Sequence, residues 1–247
     1  MVTKLKLTLI LAVLGLISGA FWVISGDAQA QPVQFQATNM FAFKNANGEM
    51  LGPPFTEVDG TAALTRTKDG ISYEIYTTGL EPGAYTVWTV IFNRPEACEG
   101  PCNGPDLDNP NVKGSIVYGT GLIVGSDGIG NFRGTLAKGV PLAGVQVNVP
   151  HGTAYGLEDP MKAEVHLALR AHGAPQNGLT YSQLTTFGGG CSNSPAIVKK
   201  IAGDDDDPST ISISTGLPGP FFCYEPQAAI FLSPMHDELM SRTADDD

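Results

Sequence analysis

The stretch AEVHLALRAHG, residues 163–173, gathers the side chains best suited to chemistry: two imidazoles, a carboxylate and a guanidinium. Imidazole and carboxylate are common metal ligands and common partners in proton transfer. Spacing decides which uses are open. Read as an extended strand, the segment turns Glu164, His166, Ala168, Arg170 and His172 one way, and Ala163, Val165, Leu167, Leu169 and Ala171 the other. Six residues at about 3.3 Å each put the two imidazoles roughly 20 Å apart, too far to chelate one ion together. A metal at His166 would draw on Glu164, about 7 Å along the strand, and on neighbouring strands. His151, after Pro150, is the one further imidazole candidate for that role, whereas His236 beside the acidic C-terminus is expected to face solvent. The plainer reading makes Glu164, His166 and Arg170 cross-strand polar pairs on a solvent-facing or groove-lining surface.

Oxygen ligands form a second set. GPDLDNPNVKG, residues 104–114, holds Asp106, Asp108, Asn109 and Asn111 in one loop, a composition hard cations favour. It lacks the central Gly and terminal Glu of a twelve-residue calcium loop, so capping of its own backbone by Asp and Asn is the expected use. Asp204 to Asp207 read as an exposed like-charge loop with at most weak calcium binding. No cofactor is implied, with calcium or a transition metal as the alternative. Trp88, between Tyr85 and Phe92, is expected in the core, with a ligand-binding or partner-facing role as the sharper alternative. The nucleophile elbow, the paired-histidine zinc motif and the phosphate-binding loop are all missing, and the glycines of GTGLIVG and GIGNFRG miss dinucleotide spacing, so a non-catalytic protein is expected.

These residues must be held by strands, because from Val33 onward the apolar pattern has period two. ISYEIYTTGL (71–80) alternates, and EPG turns it into AYTVWTVIFN (84–93), which is apolar on both faces and so reads as a central, doubly covered strand. GSIVYGTGLIVG (114–125) and NFRGTLAKG (131–139) flank Asp127-Gly128, which predicts that they pair as a hairpin. Residues 141–149, 163–172, 210–217 and 227–232 complete about nine strands, and no long amphipathic helix is evident. The glycines of TTFGGGC (185–191) suggest a bend with close backbone packing. The expected fold is all-β: a single antiparallel β-sandwich over 31–235 with long loops, preceded by a signal peptide over 1–30 and followed by an acidic tail over 236–247.

Lys4 and Lys6, the uncharged run Leu7–Ile24 and Ala28-Gln29-Ala30 have the layout of an export signal, with an uncleaved membrane anchor as the alternative. Export implies a periplasmic or extracellular protein that touches a membrane only if that segment is retained. Four cysteines then read as two disulfides, Cys98 with Cys102 and Cys191 with Cys223. A zinc site would need a second closely spaced pair, which is missing. Residues 31–247 carry 12 basic against 24 acidic side chains, a surface unsuited to nucleic acid.

ISYEIYTTGLEPGAYTVWTV resembles the opening of chordin-type (CHRD) domains, over perhaps 50 residues. That family often carries closely spaced histidines on the second strand; the corresponding positions here are Trp88 and Val90, so no role transfers. YTVWTVIFNRPEAC, AEVHLALRAHG and TTFGGGC are similar to a group of bacterial exported proteins without assigned activity, which implies export and a compact β-domain. Two functions follow: an envelope or extracellular interaction module for a protein, glycan or surface partner, or a metal- or small-ligand-binding protein using His166 and Glu164.

Overall fold

The computed structural model describes residues 32–51, 55–139, 147–148, 155–193 and 216–234. The export segment, His151, the Asp204–Asp207 run, all but the end of the strand expected at 210–217, and the tail with His236 lie outside them. Residues Gln31–Asp247 make one compact unit. Its strands are β1 (Gln34–Ala42), β2 (Glu57–Thr67), β3 (Gly70–Thr77), β4 (Gly83–Phe92), β5 (Gly114–Val124), β6 (Gly130–Ala137), the two-residue β7 (Val147–Asn148), β8 (Glu164–Ala171) and β9 (Tyr224–Phe231). One short helix, α1 (Thr180–Thr185), precedes the glycine-rich bend.

All the strands belong to one antiparallel sheet in the order β6-β3-β2-β1-β9-β8-β4-β5-β7. The fold is thus all-β, and the sheet curls until it is nearly a barrel. One half supplies Leu64, Ile71, Tyr73, Ile75 and Phe132, the other Val87, Ile91, Val117, Val165, Leu167, Leu169 and Phe231, and these meet in a single core. β3 shows the cause plainly: Ile71, Tyr73 and Ile75 are buried while Ser72, Glu74 and Tyr76 are not, as period two requires.

The hairpin expected between β5 and β6 does not form. β5 pairs with β4 and β7, and β6 pairs with β3. Asp127-Gly128 does make the tight turn, with Gly128 at φ +67°, but the turn carries the chain across the mouth of the sheet. Leu80 N–H donates to the Gly128 carbonyl at 3.1 Å, so the β3–β4 and β5–β6 crossings run side by side. Tyr73 supplies the physical reason. Its buried phenol oxygen lies so close to Gly119 of β5 and Gly134 of β6 that a methyl group on either would sit 1.9 or 2.3 Å from it. The ring wedges the seam, and only glycine fits on both sides.

On the outer face of β5, β4, β8 and β9, three connections form a cover. Residues 94–113 carry turns at Pro95–Ala97 and Gly104–Asp108, are stapled by Cys98–Cys102, and pack Val112 and Cys102 on Phe92. The segments 173–193 and 216–223 are joined by Cys191–Cys223. Residues 43–51, between β1 and β2, close the third side through a bridge from Lys44 to Met50. Both disulfides are the pairs expected from spacing, and β4 is buried along both faces, as its composition predicts.

Candidate functional site

β8 presents its two faces as the pleat dictates. Ala163, Val165, Leu167, Leu169 and Ala171 enter the core. The polar face is also enclosed, by the three covers: Glu164, Arg170 and His172 are buried, and the His166 side chain keeps 15% of its surface. Register places Val90 opposite His166, Trp88 opposite Ala168 and Thr86 opposite Arg170, so the outward row of β4 lies beside the polar row of β8. Trp88 is therefore buried on the outer face under a cover, not in the core between the two halves of the sheet, where it was expected. Because AYTVWTVIF is apolar on both faces, its pattern could not assign the side.

Between the covers lies a cleft of about 220 Å³. Trp88, Val90, Phe92, Ile116, His166, Ala168, Ala228 and Ile230 make its floor, while Phe43, Met50, Leu107 and Phe187 make its walls. Trp88 meets the Phe187 ring edge-on with centroids 5.0 Å apart, and the His166 ring lies 5.0 Å from that of Phe92. Both Trp88 and Val90, where the chordin-type resemblance would place histidines, face this space.

One carboxylate orients the imidazole of the cleft. Glu164 Oε1 contacts His166 Nε2 at 2.8 Å and accepts the Cys102 backbone N–H at 2.9 Å. The same side chain thus holds the first disulfide loop against β8 and fixes the ring. An acceptor carboxylate places the proton on Nε2, so in the neutral ring the lone pair resides on Nδ1. Nδ1 has no hydrogen-bond partner among the described residues and is not enclosed.

At the other end of the cleft Glu225 is gripped by two cations. Arg170 Nη1 and Lys44 Nζ donate to separate oxygens of its carboxylate, Arg170 Nε donates to the Phe187 carbonyl at 2.8 Å, and the guanidinium stacks on the Phe187 ring at 3.9 Å. Burial alone would raise the Glu225 pKa, but Arg170 and then Lys44 outweigh it and hold the carboxyl below the ordinary carboxylate range. This is a cross-strand pair of the kind expected for Arg170; of the solvent-facing and groove-lining settings expected, the pair takes neither openly, being buried at the end of the cleft that Glu225 lines.

His172 belongs to a closed chain of bonds. Trp88 Nε1–H donates to Thr86 Oγ1 at 2.8 Å, Thr86 Oγ1 lies 2.7 Å from His172 Nε2, and His172 Nδ1 lies 2.8 Å from the Gly189 carbonyl. A carbonyl only accepts, so Nδ1 carries the proton and Nε2 accepts from the threonine hydroxyl. Burial, followed by the nearby Arg170 charge, pushes His172 down to about 4, despite the opposing pull of Gly189 and Glu225. The Gly-rich bend makes the arrangement possible: a methyl on Gly189 would sit 2.0 Å from the Ser182 carbonyl.

Two trios of metal-type ligand atoms lie within 4.8 Å of one another among the described residues: His172, Cys191 and Cys223, and Cys98, Cys102 and Asp106. Their sulfurs are disulfide-bonded, so they offer no thiolate. Glu164 and His166 come together, but Asp106 and Asp108 do not join them in such a cluster. Asp106 instead accepts the Asn103 N–H at 2.8 Å, and Asn109 the Asn111 N–H at 3.0 Å, capping their own loop as expected. Lys44, Thr86, Phe187 and Glu225 escaped sequence reasoning. Glu225 had part of a signal, the extension of the QAAIFL strand back through Pro226, but a bulge opposite Arg170 turns it to the cleft side against period two; Lys44 and Phe187 had none.

No family model, curated protein or solved structure matches the chain. Among the described residues no helix is long and apolar enough to cross a membrane.

Proposed function

We propose that this is an exported, non-catalytic β-protein that binds a small, mainly apolar molecule in the cleft over β4, β8 and β9. The carrying observation is the cleft itself, about 220 Å³ walled by aromatic and aliphatic side chains, with His166, held by the buried Glu164, in its floor. Ligand sites commonly have this constitution, an apolar concavity with a few placed polar groups. The size suits a single substituted ring, since a cavity of roughly 150 Å³ accepts benzene. Two disulfides bracketing the covers suit an oxidising compartment, and reading the curled sheet as a two-layered sandwich is part of the same proposal, supported by its two halves meeting in one core. A chordin-type relationship is part of the same proposal, resting on the β3–turn–β4 sequence.

Trp88 is its own reporter. The chain contains Trp22 and Trp88, so Trp22→Phe leaves one indole, in the cleft. Titrating that full-length variant with toluene is expected to give a saturable change in Trp88 emission. Ala168→Phe, which fills the floor, abolishes the change while the far-ultraviolet dichroism stays that of the parent. No saturable change, or one indifferent to Ala168→Phe, contradicts the reading.

The interaction-module reading has one observation in its favour. Met50, Leu51 and Phe222 stand 53, 48 and 49% exposed, and Phe222 packs on Gly48 of the hairpin that walls the cleft. An apolar side chain of a surface partner would meet this rim first.

A further inference from the structure

We infer that the cleft selects an uncharged aromatic ring bearing a hydrogen-bond donor, a phenol in the simplest case, with the donor directed at His166 Nδ1. This rests on the ligand-binding reading above and specifies its chemistry.

Polarity comes from the orienting carboxylate. Glu164 is buried, accepts from the Cys102 amide and takes the Nε2 side of the imidazole, so the ring cannot turn over without losing that bond. What the neutral ring, which lines the cleft, leaves unengaged is the Nδ1 acceptor, and an acceptor selects a donor. The other ionic groups offer an anion no better berth. Glu225 occupies Lys44 and Arg170 at the far end, and the Arg170 face is taken by the Phe187 ring. A carboxylate ligand would bring its charge against the Nδ1 lone pair and within the field of Glu164.

Shape comes from the rings. Trp88, Phe92, Phe187 and Phe43 surround the space, with Trp88 and Phe187 already edge-to-face. Flat rings pack against such walls in offset or edge-on geometry and gain beyond their buried area. Glu164 and His166 stand two apart on one strand, so the donor site is set by the rigid sheet, not by a loop.

Three probes that share a 4-methylphenyl ring and differ in one substituent separate the claims: toluene, p-cresol and 4-methylbenzoate, each titrated at pH 8 into the full chain carrying Trp22→Phe and followed by Trp88 emission. The expected order is p-cresol tighter than toluene by about tenfold, one well-placed hydrogen bond, with 4-methylbenzoate weaker than both. In His166→Leu the preference for p-cresol over toluene vanishes while toluene still binds. Equal binding of p-cresol and toluene in the parent overturns the donor selection but leaves the apolar cleft standing. So does 4-methylbenzoate binding best. Failure of all three overturns the cleft and the selection together. A preference for p-cresol that survives His166→Leu removes His166 as the acceptor.

Discussion

The imidazole of His172 illustrates how burial and a carbonyl together choose a protonation state. Its pKa of about 4 lies below the ordinary 6.5, so between these values the unfolded chain takes up a proton that the folded chain refuses. Stability is therefore full above pH 6.5 and falls as the pH drops toward 4, by roughly 3 kcal/mol from this group. Glu225, depressed below its ordinary 4.5, adds a second loss that begins only beneath that value. Urea midpoints recorded from pH 7 to pH 4.5 are expected to decline, and His172→Gln to decline less steeply. Parallel slopes in the two proteins would remove His172 as the cause. Glu225→Gln strands Arg170 and Lys44 against a neutral amide and is expected to cost about 3–5 kcal/mol at pH 7, the usual consequence of breaking a buried ion pair. Chemical denaturation measures it; a cost below about 1 kcal/mol contradicts the buried pairing. The alternation of residues 163–172 gave away which side chains share a face, because pleating is a local property. That the polar face would be roofed over was not legible, since its partners Thr86, Gly189 and Glu225 lie far away in sequence.

Among the connecting elements, the two disulfides do unequal work. Cys191–Cys223 closes a loop with a separation of 32, and Cys98–Cys102 one of 4. Loop-closure entropy assigns them about 4 and about 2 kcal/mol respectively. Replacing Cys191 and Cys223 together by Ala should therefore lower the thermal midpoint more than replacing Cys98 and Cys102, and should loosen Phe187 over the cleft. The reverse order in calorimetry would count against this view of the covers. Pairing near with near was readable from cysteine spacing. The covers themselves were not, because residues 94–113 and 173–193 are built from Pro, Gly and Asn turns without a period. β1 and β2 were also hard to read: QFQATNMFA and EVDGTAALTRT place Thr, Ala and Gln where a strong strand would carry large apolar groups.

For the molecule as a whole, closure depends on the Tyr73 wedge between β5 and β6. Gly119→Ala or Gly134→Ala drives a methyl into the phenol, with an expected cost of about 1–3 kcal/mol. In a Tyr73→Phe background, where the oxygen is gone, the cost shrinks. Thermal unfolding of the four-protein cycle reads the coupling, and simple additivity would show that Tyr73 does not set the seam. The all-β class and the strands β3, β4, β5, β6, β8 and β9 were legible from period two and turn residues. The strand order was not, because Asp127-Gly128 specifies a tight turn but not which strands flank it in the sheet; a side chain more than fifty residues away settles that.

All scales converge on the cleft, and a crystal structure of the full chain soaked with 4-bromophenol tests it most directly. The anomalous scattering of bromine locates the ring without ambiguity. The expected result is one bromine site among Trp88, Phe187 and Ala168, with the phenol oxygen about 2.8 Å from His166 Nδ1. A bromine peak only outside the cleft, or a ring inside it with its hydroxyl turned away from His166, would contradict the account.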